Sequence, residues 1–328
     1  MPIEILCLGG TSIDLIQDPQ TKAQRSSKKR PKFKPFSVGG SVTNTAIICA
    51  KLGLKTAMLS RIGKDNLGNF AVKFLRSQKV NISGIIQDPK IQTPRAVASL
   101  DQSGNAKYTF YKNHPRDSVV PLKGVPKKLL NGVKVLHFGS SFSHQLETFQ
   151  ESLKYITRLK KQGVFISLDP NLRPYSIYDE EATRQRIFSL LRLVDLAKLS
   201  LQDIRFLTGK KEPKIALKKA HDSWPNCQFI LTLGKQGSMG LYGENDFIKV
   251  PIFKVKTKDT IGAGDAFTAG LLFRYLKAGE KALKEDLKNT LKFASIVSAL
   301  VCTESGASKG LKSLSQVKKL IKQRRSII

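Results

Sequence analysis

Short β-branched or apolar runs alternate with amphipathic stretches along most of this chain, and that alternation commits it to an α/β fold built on a parallel sheet with crossover helices. The clearest predicted strands are Ile3 to Leu8, Ala57 to Ile62, Val133 to Phe138, Val164 to Leu168, Leu196 to Leu199 and Phe229 to Leu233. Between them, Thr148 to Gln162 sets Phe149, Leu153, Ile156 and Leu159 on one helical face and stops at Gly163. Two segments break the alternation, roughly 17–36 and 85–111. In the second, Ala96 to Leu100 and Lys107 to Tyr111 flank Asp101-Gln102-Ser103-Gly104 and predict a β-hairpin. Both segments follow strands from the first half of the sheet. They are therefore expected to project from one end of it as a small β lid, built from about 15–37 and 85–114. With no internal repeat and no Pro/Gly/Ser-rich linker, residues 1–328 are expected to form a single domain.

The chain has 328 residues, 41% of them hydrophobic, yet no uncharged apolar run approaches the roughly 20 residues that span a bilayer. A membrane span is excluded on that ground. The opening Met-Pro-Ile-Glu-Ile-Leu-Cys-Leu-Gly-Gly lacks a basic stretch and a long apolar run before a cleavage site, which predicts no secretory leader and a cytoplasmic location. Cys7, Cys49, Cys227 and Cys302 lie far apart with no C-x-x-C pair, a pattern of reduced thiols rather than a disulfide frame or zinc site. The 56 Lys and Arg against 25 Asp and Glu give a net charge of +31, which attracts polyanions. Lysines are spread through nearly every predicted helix, as on a solvated basic surface. Two denser clusters, Lys22 to Lys34 and the group Lys318, Lys319, Lys322, Arg324 and Arg325, could hold an anionic substrate, a lipid surface or RNA.

The most informative window is Lys258-Asp259-Thr260-Ile261-Gly262-Ala263-Gly264-Asp265-Ala266-Phe267. Its small residues let backbone N–H groups converge where a helix starts, and such an N-terminus is either an anion site or simply a capped end. If it is an anion site, the amides cradle a transferring phosphoryl group while Asp265 takes the proton of an attacking hydroxyl. In Val38-Gly39-Gly40-Ser41-Val42-Thr43-Asn44, paired glycines permit either a close ligand approach or a tight strand-to-helix turn. Asp14, just beyond the first strand, is by itself an ordinary turn residue, and Asp169-Pro170-Asn171-Leu172-Arg173 an ordinary turn with a surface cation.

The window ending at Asp265 resembles the C-terminal signature D-T-x-G-A-G-D-x-F of the ribokinase family of carbohydrate and nucleoside kinases, with every fixed position matched. The resemblance implies a three-layer α/β/α fold with a mostly parallel central sheet and a small β lid. It implies Asp265 as catalytic base, Gly262, Ala263 and Gly264 as an anion hole, and Thr260 near the phosphates. Gly39, Gly40 and Asn44 match the family's G-G-x-x-x-N, which contacts sugar hydroxyls, and Asp14 stands where the family holds a hydroxyl-binding carboxylate. Phe110-Tyr111-Lys112-Asn113 and His137-Phe138-Gly139-Ser140 are similar to segments of the fructokinase branch, so Tyr111 and Asn113 join the substrate residues. Fructokinases also carry D-P-N-L-R, which turns Asn171 toward the nucleotide phosphates and Arg173 toward the phosphates or acceptor sugar. Lys198-Leu199-Ser200-Leu201-Gln202-Asp203 resembles their K-x-S-x-E-E.

By the same resemblance, ATP is the expected phosphoryl donor, with Thr232, Gly234 and Gly237 beside it as the T-x-G-x-x-G match and the helix 293–301 under its adenine. Mg²⁺ is expected through water at Asp203, although the wider family's N-x-x-E is here Ser200 to Asp203. K⁺ is expected at Asp259 and the Ile261 carbonyl, near Gly306-Ala307. Lys112, Pro115-Arg116 and Ser41-Val42 depart from the fructokinase pattern, the last replacing A-P. The partners implied are a sugar and ATP, with a homodimer through the lid in some relatives. The function implied is phosphorylation of a primary hexose hydroxyl, most plainly that of fructose. The alternatives are a ketodeoxygluconate, ribose or nucleoside acceptor, or a fructokinase-like protein that binds nucleic acid or protein.

Overall fold

The computed structural model describes residues 2–17, 33–100, 106–111, 114–173, 177–243 and 245–325. Nine strands form the large sheet: β1 (Ile5–Leu8), β4 (Thr56–Gly63), β5 (Asn81–Asp88), β8 (Val135–Gly139), β9 (Phe165–Asp169), β10 (Leu196–Ser200), β11 (Gln228–Thr232), β12 (Ser238–Tyr242) and β13 (Asp246–Val250). Their order is β13-β12-β11-β10-β9-β8-β1-β4-β5. Every pairing is parallel except those of β11 with β12 and β12 with β13. Every expected strand is present, with ends shifted by one or two residues.

Helices cover both faces. The principal ones are α1 (Ser41–Lys51), α2 (Asn66–Ser77), α3 (Leu146–Lys160), α4 (Glu180–Leu191), α5 (Leu201–Thr208), α6 (Pro213–Ser223), α7 (Ala263–Ala278), α8 (Leu287–Val301) and α9 (Leu314–Arg325). Because successive side chains in a strand point to opposite faces, each strand feeds two cores. Leu6 and Leu8 pack with Tyr155 and Ile156 of α3 and Ile187 of α4, whereas Ile5 and Cys7 pack with Ile47 of α1, Leu271 of α7 and Leu291 of α8. The basic C-terminal stretch is the amphipathic α9: Val317 is buried in the second core, with Lys318 and Lys319 facing out. No helix among the described residues is long and apolar enough to cross a membrane.

Four strands make the small sheet, β2 (Ser12–Gln17), β3 (Phe33–Gly39), β6 (Arg95–Leu100) and β7 (Ala106–Tyr111), in the order β3-β2-β6-β7. The expected hairpin is there, Ala96 opposite Phe110 and Ala98 opposite Tyr108. The lid starts later than expected, because Ile85 to Asp88 pair with Ser60 to Gly63 in the large sheet. Asp14 is a strand residue of β2 rather than a turn residue, and a register shift between Asp14 and Leu15 marks a bulge there. Bulges re-aim side chains, often beside functional sites. Residues 18–32, which hold most of the first basic cluster, lie outside the described residues, as do Lys112 and Asn113.

Candidate active site

The pleat that builds the second core also builds the site. On β8, β9 and β10 the positions alternating with Val135, Phe165 and Leu196 toward α7 are His137, Ser167, Asp169 and Lys198, each 5% exposed or less. At the carboxyl ends of parallel strands this face is where ligands of open α/β sheets bind. Lys198 Nζ pairs with Asp169 Oδ2 at 2.6 Å, and Thr268 Oγ1 donates to the same oxygen at 3.4 Å. Burial opposes the Lys198 charge, yet Asp169 beside it holds its pKa above the ordinary value. Beneath the pair, burial and the Lys198 charge push the His137 pKa down to about 3, so this ring is neutral, with Nδ1 3.2 Å from Ser167 Oγ.

Asp265 lies in the first turn of α7, 8% exposed. The helix enters through Gly262 at φ 79°, where an added Cβ would lie 2.4 Å from the Ala307 carbonyl oxygen, so glycine is required there. Among the described residues no side chain caps this end. The Ala263 amide, expected in the anion hole with those of Gly262 and Gly264, instead donates to the Thr260 carbonyl at 3.1 Å, and among the described residues the amides of Gly264 and Asp265 are the open pair. A Cβ on Gly264 would sit 3.3 Å from Lys198 Nζ, which puts the buried ammonium beside this glycine. Ser41 Oγ donates to Asp265 Oδ1 at 2.6 Å and Asn44 Nδ2 to Oδ2 at 2.8 Å. Burial, reinforced by the Asp169 charge, pushes the Asp265 pKa up to about 6 against the pull of those two bonds and of Lys198. A carboxylate poised there suits proton abstraction near neutral pH.

The acceptor side gathers around the same helix start. Gly40, at φ 107°, precedes α1, and a Cβ on it would meet the Gly10 carbonyl at 2.3 Å. Gly39 faces Asp14, whose Oδ2 accepts from Ser37 Oγ at 2.7 Å and whose pKa burial raises against that bond. Among the described residues the buried Oδ1 of Asn44 has no hydrogen-bond partner. Tyr111 stands apart at the end of β7, half exposed, with the Arg95 guanidinium 4.8 Å over its ring.

The expected nucleotide and metal residues divide. Asn171 has φ 42° and is half-buried, with Arg173 exposed beside it. Thr232 Oγ1 donates to the Leu199 carbonyl at 3.3 Å, Gly234 lies in open space, and Gly237 is fixed by packing, since a Cβ would meet the Val250 carbonyl at 2.0 Å. Thr260 is exposed. Asp259 takes the Ile261 amide at 2.9 Å on one oxygen and that of Gly306 at 3.0 Å on the other, which brings the expected K⁺ residues together.

Asp203 departs from expectation. Its Oδ2 accepts from the Ser200 amide at 2.7 Å in a capping box at the start of α5, and its Oδ1 from the Leu172 amide at 2.9 Å. It is 1% exposed, and burial and Asp169 raise its pKa against Lys198 and Ser200. Both oxygens thus fasten backbone, with the Lys198 charge nearby. Among the described residues no three His, Cys, Asp or Glu side chains group to hold a metal. The residues therefore fit a Mg²⁺ carried on the nucleotide phosphates with its waters, and no side chain assembled for the ion alone.

Lys198, Asp169 and Ser41 were not legible as site residues from spacing, although a lysine inside the apolar run Leu196 to Leu199 is itself a signal, since buried charges need partners. Comparison with known proteins agrees with the geometry. The family model "pfkB family carbohydrate kinase" matches residues 3–314. Probable fructokinase-7 of Arabidopsis thaliana is 30% identical over 327 residues, 98% of this chain and 93% of its own. Fructokinase-1 of Zea mays is 31% identical over 326 residues, 97% of this chain and 98% of its own. A fructokinase double mutant from Vibrio cholerae O395, solved in a fructose-, ADP- and potassium-bound form, superposes with TM-score 0.80 at 27% identity, over 97% of each chain. An uncapped helix start over a buried ion pair, matched across nearly the whole chain, leaves one assignment: this chain belongs to the PfkB family of carbohydrate kinases, enzymes that transfer a phosphoryl group to an alcohol.

Proposed function

We propose that the chain transfers the γ-phosphoryl group of ATP to a primary hydroxyl of a hexose, fructose in the first instance, with Asp265 as general base. The observation that carries this reading is the position of Asp265: a buried carboxylate with its pKa near 6, in the first turn of an uncapped helix. Two relatives named fructokinase and a neighbour that binds fructose, ADP and potassium support the acceptor and donor.

In this mechanism Asp14, Gly39, Gly40 and the Asn44 Oδ1 orient the sugar beside α1. Asp265 accepts the proton of the attacking hydroxyl as its oxygen bonds to the γ-phosphorus, and ADP departs with the electron pair of the broken bond. The Gly264 and Asp265 amides, with the Lys198 ammonium beneath them, stabilise the charge on the transferring oxygens. Gly262 and Ala263 shape that turn, while Asn171, Arg173 and the Thr232 to Gly237 turn hold the nucleotide. Bound Mg²⁺ would neutralise phosphate charge, and K⁺ beside Asp259 would stiffen the Ile261 turn. Positioning and preorganised electrostatics carry most of the rate gain. The four cysteines, all buried and free, support the cytoplasmic location proposed with this function.

The test is ADP release with ATP and Mg²⁺ against fructose, glucose, ribose, ketodeoxygluconate and adenosine, alongside Asp265→Asn. Turnover with fructose, abolished by the substitution, is expected. Preference for another acceptor moves the substrate within the family, and undiminished turnover by the variant removes Asp265 as base.

A further inference from the structure

Three polar side chains of the first turn of α1 grip Asp265. Positions 41, 44 and 45 are i, i+3 and i+4, neighbours on one helical face. Ser41 Oγ donates to Oδ1 at 2.6 Å, Asn44 Nδ2 donates to Oδ2 at 2.8 Å, and Thr45 Oγ1 donates to the Asp265 main-chain carbonyl at 3.3 Å. Only Asn44 of these belongs to the family's G-G-x-x-x-N pattern, and Ser41 stands where the fructokinase pattern has Ala. The two side-chain partners of the carboxylate are chemically unequal. An amide nitrogen only donates, so Asn44 in this orientation meets Oδ2 only as an acceptor, whereas a hydroxyl donates or accepts by turning about its C–O bond and can follow a change of protonation at Oδ1.

We propose that Ser41 is a positioning residue for phosphoryl transfer: its hydroxyl donates to Oδ1 while Asp265 is ionised, and turns to accept from that oxygen once Asp265 has taken the acceptor's proton. The inference rests on Asp265 as base. In the step, the acceptor O–H bond breaks and its proton forms an O–H bond on Asp265 Oδ1. The freed oxygen pair forms the bond to the γ-phosphorus, and the bond from that phosphorus to the β,γ-bridging oxygen breaks, its electron pair leaving on ADP. The proton on Asp265 passes to water after the product departs. Ser41 keeps its own proton throughout and bonds to the carboxyl in both protonation states, more strongly to the ionised one because that bond is charge-assisted.

The charged groups acting on Asp265 come from the strands: Asp169 of β9, which raises its pKa after burial, and Lys198 of β10, which lowers it. From α1 only the uncharged Ser41, Asn44 and Thr45 bond to it. Removing the Ser41 bond therefore shifts one uncharged contribution and leaves the charges in place.

The test compares kcat/KM against pH for the wild-type chain, Ser41→Ala and Ser41→Thr, with ATP, Mg²⁺ and the best acceptor of the panel. Thermal melting is run on each protein, and Asp265→Asn serves as control. The wild type is expected to lose activity below about pH 6, as the base protonates. Ser41→Ala is expected to move that limb up by about one pH unit, the scale of one hydrogen bond to a charged group. That is a roughly tenfold loss at about pH 5 with near parity at about pH 8.5. Ser41→Thr, which keeps the hydroxyl, is expected to restore the limb. A ¹³C NMR titration of the Asp265 carboxyl should show the same displacement without any turnover. Superimposable wild-type and Ser41→Ala curves overturn the proposal. So does a normally melting Ser41→Thr protein whose limb stays with that of Ser41→Ala. If Asp265→Asn is silent while the Ser41→Ala curve has not moved, Ser41 alone loses its role; if Asp265→Asn still turns over, the base assignment falls with it.

Discussion

Among the helices that begin at the carboxyl edge of the large sheet, α5 and α7 treat their first turns in opposite ways. At α5 the amides are consumed from within: Ser200 accepts from the Asp203 amide, and Asp203 returns the bond to the Ser200 amide. At α7 a left-handed glycine takes the cap position and no side chain among the described residues caps it. Both ends carry an aspartate in the first turn, and by charge alone they look alike. The difference teaches that a helix N-terminus becomes an anion site only where the chain withholds its own caps. The aspartate of the closed end fastens backbone amides, and that of the open end accepts only from side chains of α1 among the described residues.

The sharpest way to break the open end is to remove the charge beneath it. Lys198→Met leaves Asp169 buried without its ammonium and is expected to cost about 3–5 kcal/mol by denaturant titration; a loss under about 1 kcal/mol would show that the pair is not holding the site together. Next comes Asp265→Asn, with a fall in ADP release of at least about 10²-fold. Because folding lifts the Asp265 pKa from 3.8 to about 6, its ionised form opposes folding increasingly as pH rises through that interval. The Asn variant is therefore expected to melt no lower than wild type at neutral pH, and a clear drop would mean that the carboxylate stabilises the fold.

Gly262→Ala forces a side chain into a positive-φ position against the Ala307 carbonyl and is expected to cost about 1–3 kcal/mol, read from the denaturation midpoint. At the closed end the effects are smaller and of another kind. Ser200→Ala is expected to cost about 1 kcal/mol of stability, with kcat unchanged. Asp203→Asn is expected to lower the melting temperature while Mg²⁺ half-saturation holds, and a steep rise in the Mg²⁺ requirement would return that carboxylate to the metal shell.

Much of this was legible in the sequence because a parallel sheet buried on both faces writes itself as short apolar runs, and because Gly262 to Asp265 keeps a recognisable order. Other features depend on what residues touch. Ile85 to Asp88 look like the start of the lid until their pairing with β4 is seen. Asp203 and Asp265 are both acidic residues near a helix start, and only the backbone donors around Asp203 separate their roles. Lys198 reveals its place through the register of β9 against β10, which brings its face of the sheet to Asp169. Ser41 reads as a mere departure from pattern until the far end of the chain folds onto it.

That last contact has a consequence for the protein while it is being made. Ser41 and Asp265 are 224 residues apart, and Asn44 and Asp265 are 221 apart. At ribosomal speeds Asp265 emerges about 10–45 s after the turn that holds it. During that interval a nascent chain can display the first turn of α1 with no carboxylate in its grip. No copy that stops short of Asp265 carries that carboxylate together with the side chains that hold it, so this contact is made only after some four fifths of the chain has been synthesised.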